Sequence, residues 1–253
     1  MFGKKTYGRF FATLRMTTAV LLAAGCAKVS EETRVTEGDL IPVTFTTYRV
    51  QSVGTKADAG FVAPGADFAE GAVVGVYGFY HDNSDWATET AAGTNIADFM
   101  YHTALTKQSD GSWTYSPVKY WPNEYGSAAA SANVDKLSFW AYYPRNAAGL
   151  SLYKSGTTTA YDNDTNGLPW AHFEVDDDVT GQVDLMFTEP LTNLSKSNGD
   201  VTLRLRHALS LVQFNVTSDG SSLPEGAIIV VTDLTLTDVK TKGDCTDPSA
   251  SFS

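Results

Sequence analysis

Beyond residue 40 the chain repeats one theme: short runs with every other residue apolar, set apart by Gly, Asn, Asp, Ser and Pro. Such alternation sends successive side chains to opposite faces, as half-buried strands require. The first run, residues 41–50, puts Ile41, Val43 and Phe45 on one face, the side a strand turns inward. Pro42 near its start suits a sheet edge. A Gly- and Ala-rich loop over 54–72 leads to a run over 73–80, where Gly75 and Gly78 predict a bend or a close backbone approach. Residues 99–107 and 113–115 flank Asp110-Gly111, which predicts a hairpin. Further strands are predicted over 136–143, 184–188, 201–206, 211–217 and 228–237.

Beyond the N-terminal segment, helical periodicity does not extend past about ten residues anywhere, and only 128–134 suits a turn or two of helix. Roughly eight to ten strands with turn chemistry between them predict an all-β fold, an antiparallel β-sandwich with long loops. A closed barrel is the alternative.

The N-terminal segment reads differently. Lys4, Lys5, Arg9 and Arg15 precede the apolar run over 17–26, which ends in small residues and Cys26, with no acidic residue before Glu31. A basic stretch, a short apolar stretch and a small-residue cleavage site describe an export signal. The apolar part is about ten residues, too short for a bilayer that needs about twenty. The cysteine makes residues 1–25 resemble a bacterial lipoprotein signal, with Cys26 acylated and becoming the new N-terminus. A plain secretory signal is the alternative. Polar, unpatterned residues 26–39 then read as a tether, and 40–253 as the folded part.

Losing four positive charges with the signal takes the formal net charge from −11 to −15. That balance argues against nucleic acid and against adsorption to anionic lipid headgroups, so membrane attachment would come from acyl chains. Cys245 is the one other cysteine, so an acylated Cys26 leaves no internal disulfide and stability rests on the core.

Candidate chemistry is sparse. The four histidines (81, 102, 172 and 207) show no metal-ligand spacing, and His207 at a strand end reads as a hydrogen-bonded structural residue. Asp162, Asp164 and Asn166 match the opening of a calcium loop, but its twelfth position is Phe173 and Pro169 interrupts it; a polar turn is simpler. No phosphate-cradling loop, nucleophile elbow or catalytic carboxylate pair is evident, and no cofactor is implied. Trp86, Trp113 and Trp170 fall in or beside predicted loops, where sugar-binding platforms would sit.

Three segments carry a resemblance. They are Tyr120-Trp121-Pro122 followed by Phe139-Trp140-Ala141-Tyr142-Tyr143-Pro144; Asp184-Leu185-Met186-Phe187; and Val201–Arg206 running into His207-Ala208-Leu209 and Val212-Gln213-Phe214. Their order and spacing resemble the fimbrillin family, the FimA-like and Mfa-like lipoproteins of type V pili. The resemblance implies a transthyretin-like, Greek-key sandwich and a non-enzymatic surface subunit, with 40–253 covering the first of two domains and the second absent or truncated. It implies passage through the lipoprotein export machinery to the outer membrane, and assembly with other fimbrial subunits. A trypsin-like protease would remove the first strand (Ile41, Val43 and Phe45), and a neighbour's strand would replace it by β-augmentation. Lys56 and Arg49 are the candidate cleavage residues. A surface glycan-binding lipoprotein is the alternative function.

Overall fold

The structure is a computed structural model and describes residues 40–49, 67–122, 135–210, 228, 230–235 and 237–245. Among the described residues eleven strands and one short α-helix follow one another, with a single 3-10 turn at Lys196–Asn198: β1 (Phe45–Arg49), β2 (Val73–His81), α1 (Trp86–Ala92), β3 (Met100–Lys107), β4 (Trp113–Thr114), β5 (Lys136–Tyr143), β6 (Leu150–Tyr153), β7 (Trp170–Glu174), β8 (Met186–Thr188), β9 (Leu191–Leu194), β10 (Val201–His207) and β11 (Lys242–Cys245). An eight-stranded sheet runs β1-β10-β8-β5-β2-β3-β4, with β9 also on β5, and a three-stranded sheet runs β11-β7-β6. The expected β-sandwich is the architecture observed.

The two central strands explain the layering. β5 and β2 are buried along nearly their whole length, so both faces of the large sheet must be covered. Leu137, Phe139 and Ala141 with Val74 and Val76 face one core, which β10, β1 and β3 close with Leu203, Phe45 and Leu105. Trp140 and Tyr142 with Tyr77 and Phe79 face the other, covered by Ala171 and Phe173 of β7 and Cys245 of β11. The large sheet curls until its two ends meet: Phe45 of β1 lies edge-on to Tyr115, just beyond β4, with ring centroids 5.5 Å apart.

The glycine expectation in β2 holds. A Cβ on Gly75 would come within 2.6 Å of the Tyr142 ring, and the β2–β3 register shifts between Val76 and Gly78. The Asp-Gly hairpin is also present, joining β3 to β4 with Gly111 at φ 88°. One pairing departs from the antiparallel pattern: β1 runs parallel to β10, Phe45 opposite Val201 and Arg49 opposite Leu205.

The strand predicted over 228–237 is corrected. Residues 228, 230–235 and 237 form no strand, and Ile228, Val230, Val231 and Leu234 are exposed. β-Propensity becomes a strand only with a ladder partner and a covered face, and among the described residues this segment has neither. The runs at 211–217 and 128–134 lie outside the described residues. No helix among the described residues is long and apolar enough to cross a membrane.

Candidate functional site

The stretch from Ile41 to Arg49 lies between two parts of the chain that are distant in sequence. On one side β1 pairs with β10, and the Val201 amide donates to the Thr44 carbonyl at 2.8 Å. On the other, the Val43 amide donates to the Lys119 carbonyl and the Trp121 amide to the Ile41 carbonyl, each at 2.9 Å. The Tyr115 hydroxyl donates to the Val43 carbonyl at 2.7 Å. Tyr120-Trp121-Pro122, one of the three recognisable segments, is therefore the seat of the leading segment.

Side chains sort by face along this stretch. Val43 and Phe45 are 1% and 4% exposed, and the Phe45 ring meets Phe139 edge-on at 5.4 Å. Ile41 departs from the predicted inward face: it is 48% exposed, because the pairing with Trp121 sets it at the rim where no layer covers it. On the outer face the Thr46 and Thr202 hydroxyls are 3.1 Å apart, and Thr44 donates to Asp200.

Arg49 closes β1 with its guanidinium 5.4 Å from the Phe68 ring centroid. Partial burial lowers its pKa, while the charges of Asp184 and Asp67 act the other way. Phe68 itself packs on Trp113 and Tyr143, and Asp67 accepts from Lys107 at 3.0 Å, an ion pair that holds its carboxyl below the usual range. Thus the chain is clamped at Arg49 and again at Asp67 and Phe68. Lys56 falls between the two clamps and, like Cys26, lies outside the described residues.

The other two recognisable segments meet each other. His207 Nδ1 is 2.7 Å from Asp184 Oδ1, and the Ala208 amide donates to the Leu185 carbonyl at 2.8 Å. His207 is thus a hydrogen-bonded residue that ties β10 to the chain entering β8. Asp162 is engaged by Lys154 at 2.7 Å and by the Thr165 hydroxyl at 2.5 Å, while Asn166 accepts from the Asn95 amide and donates to the Thr90 carbonyl. Asp164 is exposed. Among the described residues no three His, Cys, Asp or Glu side chains gather as metal ligands.

A feature without a sequence signal is the chain Glu89–His81–Ser138. His81 Nδ1 lies 3.0 Å from Glu89 Oε2, and its Nε2 lies 2.8 Å from Ser138 Oγ. The order imitates a hydrolytic triad. Yet His81 and Ser138 are sealed from solvent, and Ser138 Oγ also accepts the Asn193 amide at 2.9 Å. The arrangement fastens α1 and β9 to the central strands. Its members are scattered over three elements, so no spacing rule would have found it.

Two of the three tryptophans that sequence reading offered as platforms pack against neighbouring rings. Trp86 packs edge-on to Phe79 at 5.0 Å, and Trp113 packs on Phe68 with Lys107 Nζ 5.4 Å from its ring. Trp170 is half-buried in β7. Trp121 and Trp140 are both buried.

A pH effect follows from His102, held at a positive φ of 47° with Nε2 2.5 Å from the Tyr142 hydroxyl. Burial first, then the Arg145 charge, lowers its pKa. The unfolded chain therefore takes up this proton first as pH falls. The His102 contribution is intact above the ordinary imidazole value of about 6.5 and is lost as pH drops from there toward the lower folded value. Urea unfolding at pH 7 and pH 5 should show a smaller stability loss in His102→Asn, asparagine tolerating the same backbone angle. An equal loss in both proteins would remove His102 as the cause.

Among solved structures, the chain is similar to a "putative cell adhesion protein" from Bacteroides uniformis ATCC 8492, with 12% identity, a TM-score of 0.33, and coverage of 69% of this chain and 49% of that one. The chain thus spans about half the length of that protein. No curated protein matches. The sequence profile of the Fimbrillin-like family matches residues 55–253, beginning just beyond β1 and taking in all three recognisable segments, and the chain belongs to that family.

Proposed function

We propose that this protein is a surface-exposed fimbrial or adhesin-like subunit, anchored by acylated Cys26, that assembles by exchanging its first strand. A trypsin-like protease cuts at Lys56, β1 leaves, and a strand from a neighbouring subunit takes its place. The observation that carries this reading is the seating of Val43 and Phe45 between β10 and residues 119–121. Burying two such side chains is worth about 1.5–3 kcal/mol each, so β1 stays while covalently attached and becomes exchangeable once cut. An emptied slot would expose apolar walls and the unpaired backbone groups of β10, which an extended segment satisfies. Arg49 is the weaker cleavage site, since its side chain is held against Phe68 within the strand end.

Limited proteolysis followed by intact-mass spectrometry and size-exclusion chromatography tests the proposal. Before cutting, the mature chain should begin at an acylated Cys26. After cutting it should begin at residue 57, lack β1 and run as oligomers, and Lys56→Gln should block both changes. A chain cut at residue 56 that stays monomeric would defeat strand exchange, and an unmodified Cys26 would defeat the anchor.

A further inference from the structure

The small sheet turns one face to a core and the other away from it. Leu152, Ala171 and Cys245 stand in one row of its ladder and Leu150 with Phe173 in another, and all five pack into the second core. Strand alternation sends the residues between them outward. The register then sets Tyr153 beside Trp170, Ser151 beside His172 beside Asp244, and Glu174 beside Lys242. These outward residues are half-buried or exposed, and neither core includes Tyr153 or Trp170. The Tyr153 and His172 rings lie 6.3 Å apart, tilted by 44°. Gly156, at φ 71°, flanks the indole with bare backbone, where an added Cβ would sit 3.8 Å from Trp170 Cη2.

We propose that this outer face binds carbohydrate, a neutral pyranose stacking its C–H face on Trp170 and Tyr153 while His172, Asp244 and Glu174 bond its hydroxyls. This rests on the adhesin-like reading above and names the chemistry to which the surface subunit attaches. A pyranose offers one face of C–H bonds and a rim of hydroxyls. Indole and phenol rings cover the first over a large area while losing little side-chain entropy. The rim needs a few polar groups held in place. His172 Nδ1 lies 2.7 Å from Asp244 Oδ1, which fixes both side chains. Among the described residues that pairing leaves His172 Nε2 and Asp244 Oδ2 for a ligand.

Charge selects among sugars. The face carries Asp244 and Glu174 against Lys242, on a chain of formal net charge −11, so sialylated or sulfated glycans meet repulsion and neutral ones do not. Placement keeps the face available. β1 seats in the first core, on the other side of the large sheet from β7 and β11. Emptying or refilling its slot leaves the sugar face open. Each assembled copy then adds one weak site, and a row of them gains avidity without new contacts.

A printed array of neutral, sialylated and sulfated oligosaccharides, probed with the mature chain carrying Cys26→Ser, tests the assignment. Neutral pyranosides should be bound, with at least tenfold less signal from their sialylated or sulfated counterparts. In affinity electrophoresis on the best-bound neutral sugar, Trp170→Ala should weaken binding at least tenfold and Asp244→Asn several-fold. Trp170→Phe, which keeps a flat ring, should retain most of the binding. Tyr48→Ala, at a side chain 58% exposed on β1, should change nothing. Urea melts establish that each variant is folded. Failure of the folded chain to bind any neutral sugar, or binding left unchanged by Trp170→Ala or Asp244→Asn, would overturn the site. A preference for acidic glycans would overturn the ligand class. A chain that binds sugar yet stays monomeric after cutting at Lys56 would overturn strand exchange alone.

Discussion

Phe45→Ala is expected to lower the free energy of unfolding by about 3–5 kcal/mol, the range for emptying a buried phenylalanine site. The ring is held edge-on by Tyr115 on one side and Phe139 on the other, and it is almost wholly out of solvent. Both neighbours are fixed in place. Phe139 sits in the central strand β5, and the Tyr115 hydroxyl bonds the Val43 carbonyl and lies 3.2 Å from both the Lys119 amide and carbonyl. The cavity therefore cannot collapse cheaply. Ile41→Ala, four residues earlier on the half-exposed rim, should stay within about 0.5 kcal/mol. Urea melts of the two variants give the comparison, with the midpoint moving and the slope unchanged. Equal midpoints would mean that the slot is not packed around Phe45.

Trp121→Ala should cost a similar amount, about 3–5 kcal/mol. Its ring is 2% exposed and meets Phe139 edge-on with centroids 6.4 Å apart, so Phe45 and Trp121 brace the same side chain. Their effects should fall short of additivity by about 0.5–3 kcal/mol in a double-mutant cycle, since either loss already loosens Phe139. The two variants part company after cleavage. Phe45 leaves with β1, whereas Trp121 remains in the slot wall. Trp121→Ala should then weaken assembly of cut chains, and Phe45→Ala should leave it intact. The reverse result in sedimentation would place the acceptor surface elsewhere.

Most of the large sheet was legible in the chain, by alternation or by apolar density, though its short strand β9 was not. β10 reads Val201, Leu203, Leu205 inward and Thr202, Arg204, Arg206 outward, and β5 is a dense aromatic run ended by Pro144. The second sheet was not. β6, β7 and β11 are short, and Lys242-Gly243-Asp244-Cys245 has no apolar alternation; it is held by backbone pairing to β7 and by one buried thiol. The helix α1 carries an Asp85 cap and a left-handed Gly93, both readable signals, but seven residues with no buried side chain leave no periodicity to detect. Conversely, 228–237 has the propensity of a strand, and its described residues form none.

The leading segment lay between these cases. Val43 and Phe45 were readable as an inward face, but what they face was not. Their neighbours come from Tyr115, Phe139 and β10, up to about 160 residues away, and only the fold brings them together.

The parallel run of β1 along β10 has a consequence for any assembly built on it. Two identical edges that pair antiparallel can be related by a two-fold axis, which closes the complex as a symmetric dimer. A ladder between two unlike segments running in the same direction contains no such axis. A guest that reproduces it joins unlike surfaces, donor to acceptor, so the contact is heterologous and has polarity. Repeated from copy to copy, such a joint leaves a vacant acceptor at one terminus and a free donor at the other, and growth would be directional.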